Sequence, residues 1–199
     1  MEKSKILIQA VVPIMDRLNE KIKSLGLRRD VYLNSVLQTQ AKELVEGLDG
    51  KSNSTISRDY LASKLRTLPI APVSIVLGKD VIAAIDNACS SINVPRDCFV
   101  NRVFFFLAAE AKHLEAVGIS IATIMGHTKE DLHVNALDNA GAFLGDPFYE
   151  LRRFMEDYET TIYEWRFPGK VDGLNCFLED HDVPGSKEYK NLEALFASL

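Results

Sequence analysis

Residues 24–36 read Ser24-Leu25-Gly26-Leu27-Arg28-Arg29-Asp30-Val31-Tyr32-Leu33-Asn34-Ser35-Val36, and residues 91–103 read Ser91-Ile92-Asn93-Val94-Pro95-Arg96-Asp97-Cys98-Phe99-Val100-Asn101-Arg102-Val103. A shift of 67 (26 + 67 = 93) superposes the two runs. Ser24/Ser91, Arg29/Arg96, Asp30/Asp97, Asn34/Asn101 and Val36/Val103 are then identical. Apolar positions coincide at Leu25/Ile92, Leu27/Val94, Val31/Cys98, Tyr32/Phe99 and Leu33/Val100. The register extends upstream through Ile8/Ile75 and Leu18/Ile85, and downstream through Ala41/Ala108 and Glu43/Glu110. An internal repeat marks a structural unit that need not stand alone.

Each unit opens with an extended run. In the second, Val73, Ile75 and Leu77 alternate with Ser74 and Val76; in the first the run is Ile6-Leu7-Ile8-Gln9-Ala10. A helix follows, with apolar positions Ile14, Met15, Leu18, Ile22 and Leu25 in copy one and Val81, Ile82, Ile85, Cys89 and Ile92 in copy two. Gly26 and Asn93 fall where a helix end takes a left-handed residue. A second helix starts near Arg28 or Pro95, with Asp30 and Asp97 in its first turn, where the helix dipole favours negative charge. A unit of about 45 residues built this way cannot bury a core alone. Two units can: the strands pair antiparallel and four helices pack beneath them. The fold expected is therefore mainly α with a two-stranded antiparallel β-ribbon.

This pattern resembles the ribbon-helix-helix family, the Arc/MetJ/CopG-like DNA-binding proteins. The resemblance is carried by Ser74-Ile75-Val76-Leu77-Gly78-Lys79-Asp80-Val81-Ile82-Ala83-Ala84-Ile85-Asp86 and by Ile92-Asn93-Val94-Pro95-Arg96-Asp97; copy one follows through its alignment with copy two. It implies two ribbon-helix-helix repeats in one chain; residues 120–199 carry no family resemblance and read from their own pattern as a helical C-terminal extension. The expected organisation is repeat 1 over 1–50, a linker with a short helix over 51–71, repeat 2 over 72–119 and an acidic helical extension over 120–199.

Charge follows the same division. Residues 1–50 carry 8 Lys+Arg and 7 Asp+Glu, residues 51–129 carry 9 and 6, and residues 130–199 carry 6 and 15, so the repeats sum to +4 (1 + 3) and the remainder to −9 (6 − 15). A basic front and an acidic back point to two jobs, or to an acidic segment that solvates its own helices. No stretch is long and apolar enough to span a membrane, and no signal-peptide core follows Met1, so a cytoplasmic location is expected. Cys89, Cys98 and Cys176 have no metal-ligand spacing, consistent with reduced thiols.

Between the repeats Gly50-Lys51-Ser52-Asn53-Ser54-Thr55 reads as a turn, and Ser57 as the N-cap of a helix over 58–68 ended by Pro69. Val103-Phe104-Phe105-Phe106-Leu107-Ala108-Ala109 is apolar nearly all round, which predicts that the extension docks on it. The extension itself reads as helices over about 129–144, from Asp146-Pro147 through Trp165, and near 173–180 and 187–198.

The resemblance places the ribbon in the DNA major groove, where outward side chains read base edges. Those are Lys5, Leu7 and Gln9 in copy one and Pro72, Ser74 and Val76 in copy two. Gln9 suits adenine, Lys5 guanine or phosphate, Ser74 either donor or acceptor, and Leu7 or Val76 a thymine methyl. Val76 stands where the family often has Arg, and unlike strands imply an asymmetric site or one well-read half-site. Phosphate contacts are expected from Arg28, Arg29 and Arg96 at the second-helix N-termini and from Lys79 before the first helix of copy two; each Arg can instead pair with Asp30 or Asp97. Asn34 and Asn101 are expected to pack or cap.

No phosphate loop, nucleophile elbow or HExxH motif is present, so neither an enzyme activity nor a cofactor is expected. His127, Asp131 and His133 can approach one another, but surface histidines are the simpler reading. Trp165 with Tyr149, Tyr158 and Tyr163 reads as core. The expected function is a DNA-binding transcriptional regulator, autorepressor- or antitoxin-like. Its partners are double-stranded DNA and a protein bound through 120–199, with homo-oligomers left open. The alternative is a scaffold that has lost DNA and uses its apolar ribbon face, with Leu7, Pro72 and Val76, to bind protein.

Overall fold

The structure, a computed structural model, describes residues 2–119 and 147–197. Strand β1 (Lys3–Val11) pairs antiparallel with β2 (Ile70–Gly78), from Lys3 opposite Gly78 to Val11 opposite Ile70. Side chains alternate as the pleat requires: Ile6, Ile8 and Ala10 with Ile75 and Leu77 are buried, while Lys5, Leu7, Pro72 and Val76 face out. Both strands run further than the apolar alternation indicates. Ile70 and Ala71, expected in the linker, belong to β2, and the Val12 amide extends the pairing by donating to the Pro69 carbonyl at 2.8 Å.

Each strand passes directly into a helix: β1 into α1 (Val12–Ser24) and β2 into α4 (Lys79–Ile92). Gly26 (φ +69°) and Asn93 (φ +52°) turn the chain at the two helix ends. Left-handed backbone there favours residues with little Cβ conflict or a short polar side chain. Helices α2 (Arg29–Gly47) and α5 (Arg96–Ala108) follow. Helix α1 packs on α5 and α2 on α4, so the core lies beneath the ribbon and is shared between the two halves of the chain. The fold is mainly helical, with one two-stranded antiparallel sheet among the described residues.

Helix α3 (Thr55–Leu65) bridges the halves. It begins three residues before the expected start, because Ser54 rather than Ser57 is the N-cap: its Oγ accepts from the Ser57 amide at 3.1 Å. The buried Ser57 hydroxyl instead donates to Asp180 at 2.8 Å.

After α6 (Ala111–Ala116), the described chain resumes in α7 (Tyr149–Glu156), two 3-10 turns (Gly169–Leu174 and Asp180–Asp182) and α8 (Lys187–Ala197). The expected helix over 129–144 lies outside the described residues. The helix expected to continue to Trp165 stops at Glu156. Glu159 is left-handed (φ +52°), and the β-branched run Thr160-Thr161-Ile162 disfavours further helix while carrying Ile162 and Tyr163 into the core. The helix expected near 173–180 is two 3-10 turns with extended chain between them. Gly173 lies so close to α3 that a Cβ there would sit 2.3 Å from the Leu65 nitrogen. Asn53 holds the extended part, its Nδ2 donating to Cys176 O at 2.9 Å and its Oδ1 accepting from the Leu178 amide at 3.0 Å.

The apolar run of α5 receives this C-terminal part. Phe106 makes edge contacts with Phe148 and Phe167, and Phe105 with Phe167. Arg102 is fully buried among them, its guanidinium 4.2 Å from the Phe167 ring centre. It donates to the carbonyls of Ile162 (2.6 Å), Leu174 (3.0 Å) and Trp165, and to Asn175 Oδ1 (3.4 Å). Burial lowers its pKa to about 10, so it remains a cation at neutral pH, solvated by backbone dipoles.

Candidate nucleic-acid interface

The outward face of the ribbon has three central rungs: Lys5 opposite Val76, Leu7 opposite Ser74, and Gln9 opposite Pro72. Lys5 is exposed, Gln9 and Ser74 are half-buried, and Leu7 and Val76 leave 57% and 37% of their surface open. The structure thus brings the five expected base-contacting residues, Lys5, Leu7, Gln9, Ser74 and Val76, onto one face. Lys3, opposite Gly78, extends that face at one end and is also exposed. Period-two counting back from Lys5 marks it in the sequence, although the apolar run that signals the strand begins only at Ile6.

The second-helix N-termini flank the ribbon, held by a polar clamp that occurs twice. At α2, Arg29 Nη2 donates to Ser74 O (3.0 Å), Asp30 Oδ2 accepts from the Val76 amide (3.1 Å), and Asn34 Oδ1 accepts from the Gly78 amide (2.7 Å). At α5, Arg96 Nη2 donates to Leu7 O (3.4 Å), Asp97 accepts from the Gln9 amide, and Asn101 Oδ1 accepts from the Val11 amide (2.7 Å). Asn101 Nδ2 further donates to the carbonyls of Gln9 (2.8 Å) and Asp97 (2.7 Å). The sequence expectation for these residues was incomplete. Asn34 and Asn101 do more than pack along their helices: each satisfies a strand amide. Their identity across the two runs was the signal.

The clamp changes the standing of the cations expected at phosphates. Arg29 is committed to the ribbon backbone and to Asp30 (2.8 Å), and Arg96 to the backbone and to Asp86 (3.3 Å). Lys79 lies at the start of α4 and pairs with Glu2 at 2.6 Å. Arg28, the N-cap residue of α2, is exposed. Burial raises the Asp97 pKa, against the opposing pull of the Gln9 amide and Arg96.

Other chemistry is sparse. Cys89, Cys98 and Cys176 are buried free thiols whose pKa values burial pushes up. Among the described residues no group of His, Cys, Asp and Glu is placed to hold a metal ion, and no helix is long and apolar enough to cross a membrane. His127, Asp131 and His133 lie outside the described residues. Comparison with protein-family models, curated proteins and solved structures finds no match.

Proposed function

We propose that this chain is a tandem ribbon-helix-helix protein that binds double-stranded DNA, its intramolecular ribbon entering the major groove, as a transcriptional regulator. The observation that carries this reading is the ribbon register. Leu7 faces Ser74, and 74 − 7 = 67, the offset of the sequence repeat. A two-fold axis through that rung relates the Lys5–Val76 rung to the Gln9–Pro72 rung (5 + 67 = 72; 76 − 67 = 9). The same operation relates the two clamps, residue for residue, and the α1–α5 packing to the α4–α2 packing. Two sequence-related halves closing around such an axis present a ribbon with a helix N-terminus on each side, an arrangement suited to a groove bounded by phosphates.

Exposed Leu7 and Val76 favour a second reading, in which the same face docks a protein. Substitution separates the two. Lys5→Ala with Gln9→Ala removes polar ribbon contacts, and Arg28→Ala removes an exposed cation beside α2. On the DNA reading either change weakens duplex binding about tenfold or more in fluorescence anisotropy. Unchanged binding in both variants would favour the protein-docking reading.

A further inference from the structure

Resting on the DNA-binding reading above, we infer that the ribbon recognises a non-palindromic site in a single orientation, with its electrostatic contacts concentrated on the half-site that meets Lys3 and Lys5. The axis between Leu7 and Ser74 divides the outward face into two ends. At one end stand Lys3 and Lys5, opposite Gly78 and Val76. The N-terminus of α2 lies beside them, because Arg29 reaches Ser74 and Asp30 reaches Val76, and exposed Arg28 stands at the N-cap position of that helix. At the other end stand Gln9 and Pro72, with α5 alongside through Arg96 and Asp97. Position by position, Lys5 is answered by Pro72 (5 + 67 = 72) and Arg28 by Pro95 (28 + 67 = 95).

The C-terminal part adds to the inequality. Asn53 bridges the Ile92 carbonyl, at the α4–α5 turn, to Cys176 and Leu178, which brings Glu179 and Asp180 toward that turn. Asp180 is fixed there by Ser54 and Ser57. Among the described residues the corresponding turn after α1 is not covered in this way: Leu25 is 42% exposed where its counterpart Ile92 is 3% exposed. Acidic groups also occur at the basic end, where Glu2 pairs with Lys79 and Asp80 opens α4, but Lys3, Lys5 and Arg28 remain exposed cations. Each phosphate neutralised by such a cation adds about 0.9 to the salt slope. The slope therefore falls mostly on one half of the duplex, while Gln9 is the polar base-reading side chain of the other.

The test is selection of binding duplexes from a random pool with the full chain, followed by anisotropy on the selected duplex and on a palindrome built from its Lys5-contacted half. The expected selected sequence is non-palindromic, and the palindrome binds no better than the selected duplex. Lys5→Ala is expected to lower affinity about tenfold and reduce the salt slope by about 1, and Pro72→Lys to raise affinity for the palindrome about tenfold. A palindromic selected sequence, with equal protection of both halves, would overturn the single-orientation inference and leave DNA binding standing. No enrichment and no salt-dependent binding of any duplex would overturn the DNA-binding reading and the inference with it.

Discussion

At the residue scale, the polar identities shared by the two runs are explained by what the ribbon leaves unsatisfied. A two-stranded sheet has two open edges, and a buried strand amide without an acceptor costs about 1–3 kcal/mol. Asn101 accepts from the buried Val11 amide and donates to two carbonyls, so Asn101→Ala is expected to destabilise the fold by about 1–3 kcal/mol in chemical denaturation. Asn34→Ala, which frees a single half-buried amide, should cost less. Asp97 makes a second prediction. Its pKa is raised in the fold, so its contribution is fully present below the ordinary carboxylate range and is lost as pH rises through the raised value. Asp97→Asn keeps an oxygen to accept from the Gln9 amide without carrying charge. Its melting temperature relative to the native chain should therefore rise between about pH 4 and pH 7. A difference that stays flat or falls would contradict the assignment.

At the element scale, the ribbon and its four helices were legible because period-two and period-3.6 apolar patterns recur at one offset, and because Gly26 and Asn93 mark both turns. The C-terminal half was legible only where long-range packing was not needed. The uniformly apolar face of α5 announced a docked partner, but its shape depends on contacts that no local pattern encodes. The backbone of Gly173 lies against Leu65, Asn53 holds Leu178, and Thr160-Thr161-Ile162 leaves the helix to reach Arg102. Arg102 carries no local signal of its burial: its counterpart 67 positions earlier is Ser35, which is exposed. On the interface, the outward ribbon residues were readable from alternation alone. The engagement of Arg29 and Arg96 with the ribbon backbone was not, because it depends on the strand of the other half. Gly173→Ala tests the close approach. The added Cβ meets backbone rather than a movable side chain, so the 3-10 turn must separate from α3. Hydrogen exchange is expected to quicken over residues 169–178 and the α3 C-terminus while the ribbon amides stay protected.

At the scale of the whole molecule, the chain is a ribbon-bearing core carrying an acidic segment, with the buried Arg102 cation among the contacts that fasten it. Arg102→Ala removes a guanidinium that saturates backbone carbonyls from residues 162, 165 and 174, and should cost about 3–5 kcal/mol in unfolding. Arg102→Lys, a point charge without the planar fork, should recover only part of that. The salt dependence of duplex binding reports most directly on whether the ribbon serves DNA. The measurement is fluorescence anisotropy of the full chain against the DNA upstream of its own coding sequence and a scrambled duplex, from about 50 mM to 200 mM salt. DNA binding through Lys3, Lys5 and Arg28 predicts tighter binding to the upstream duplex, with log K falling linearly against log salt at a slope of about −3. Absent or salt-independent binding to both duplexes would contradict it.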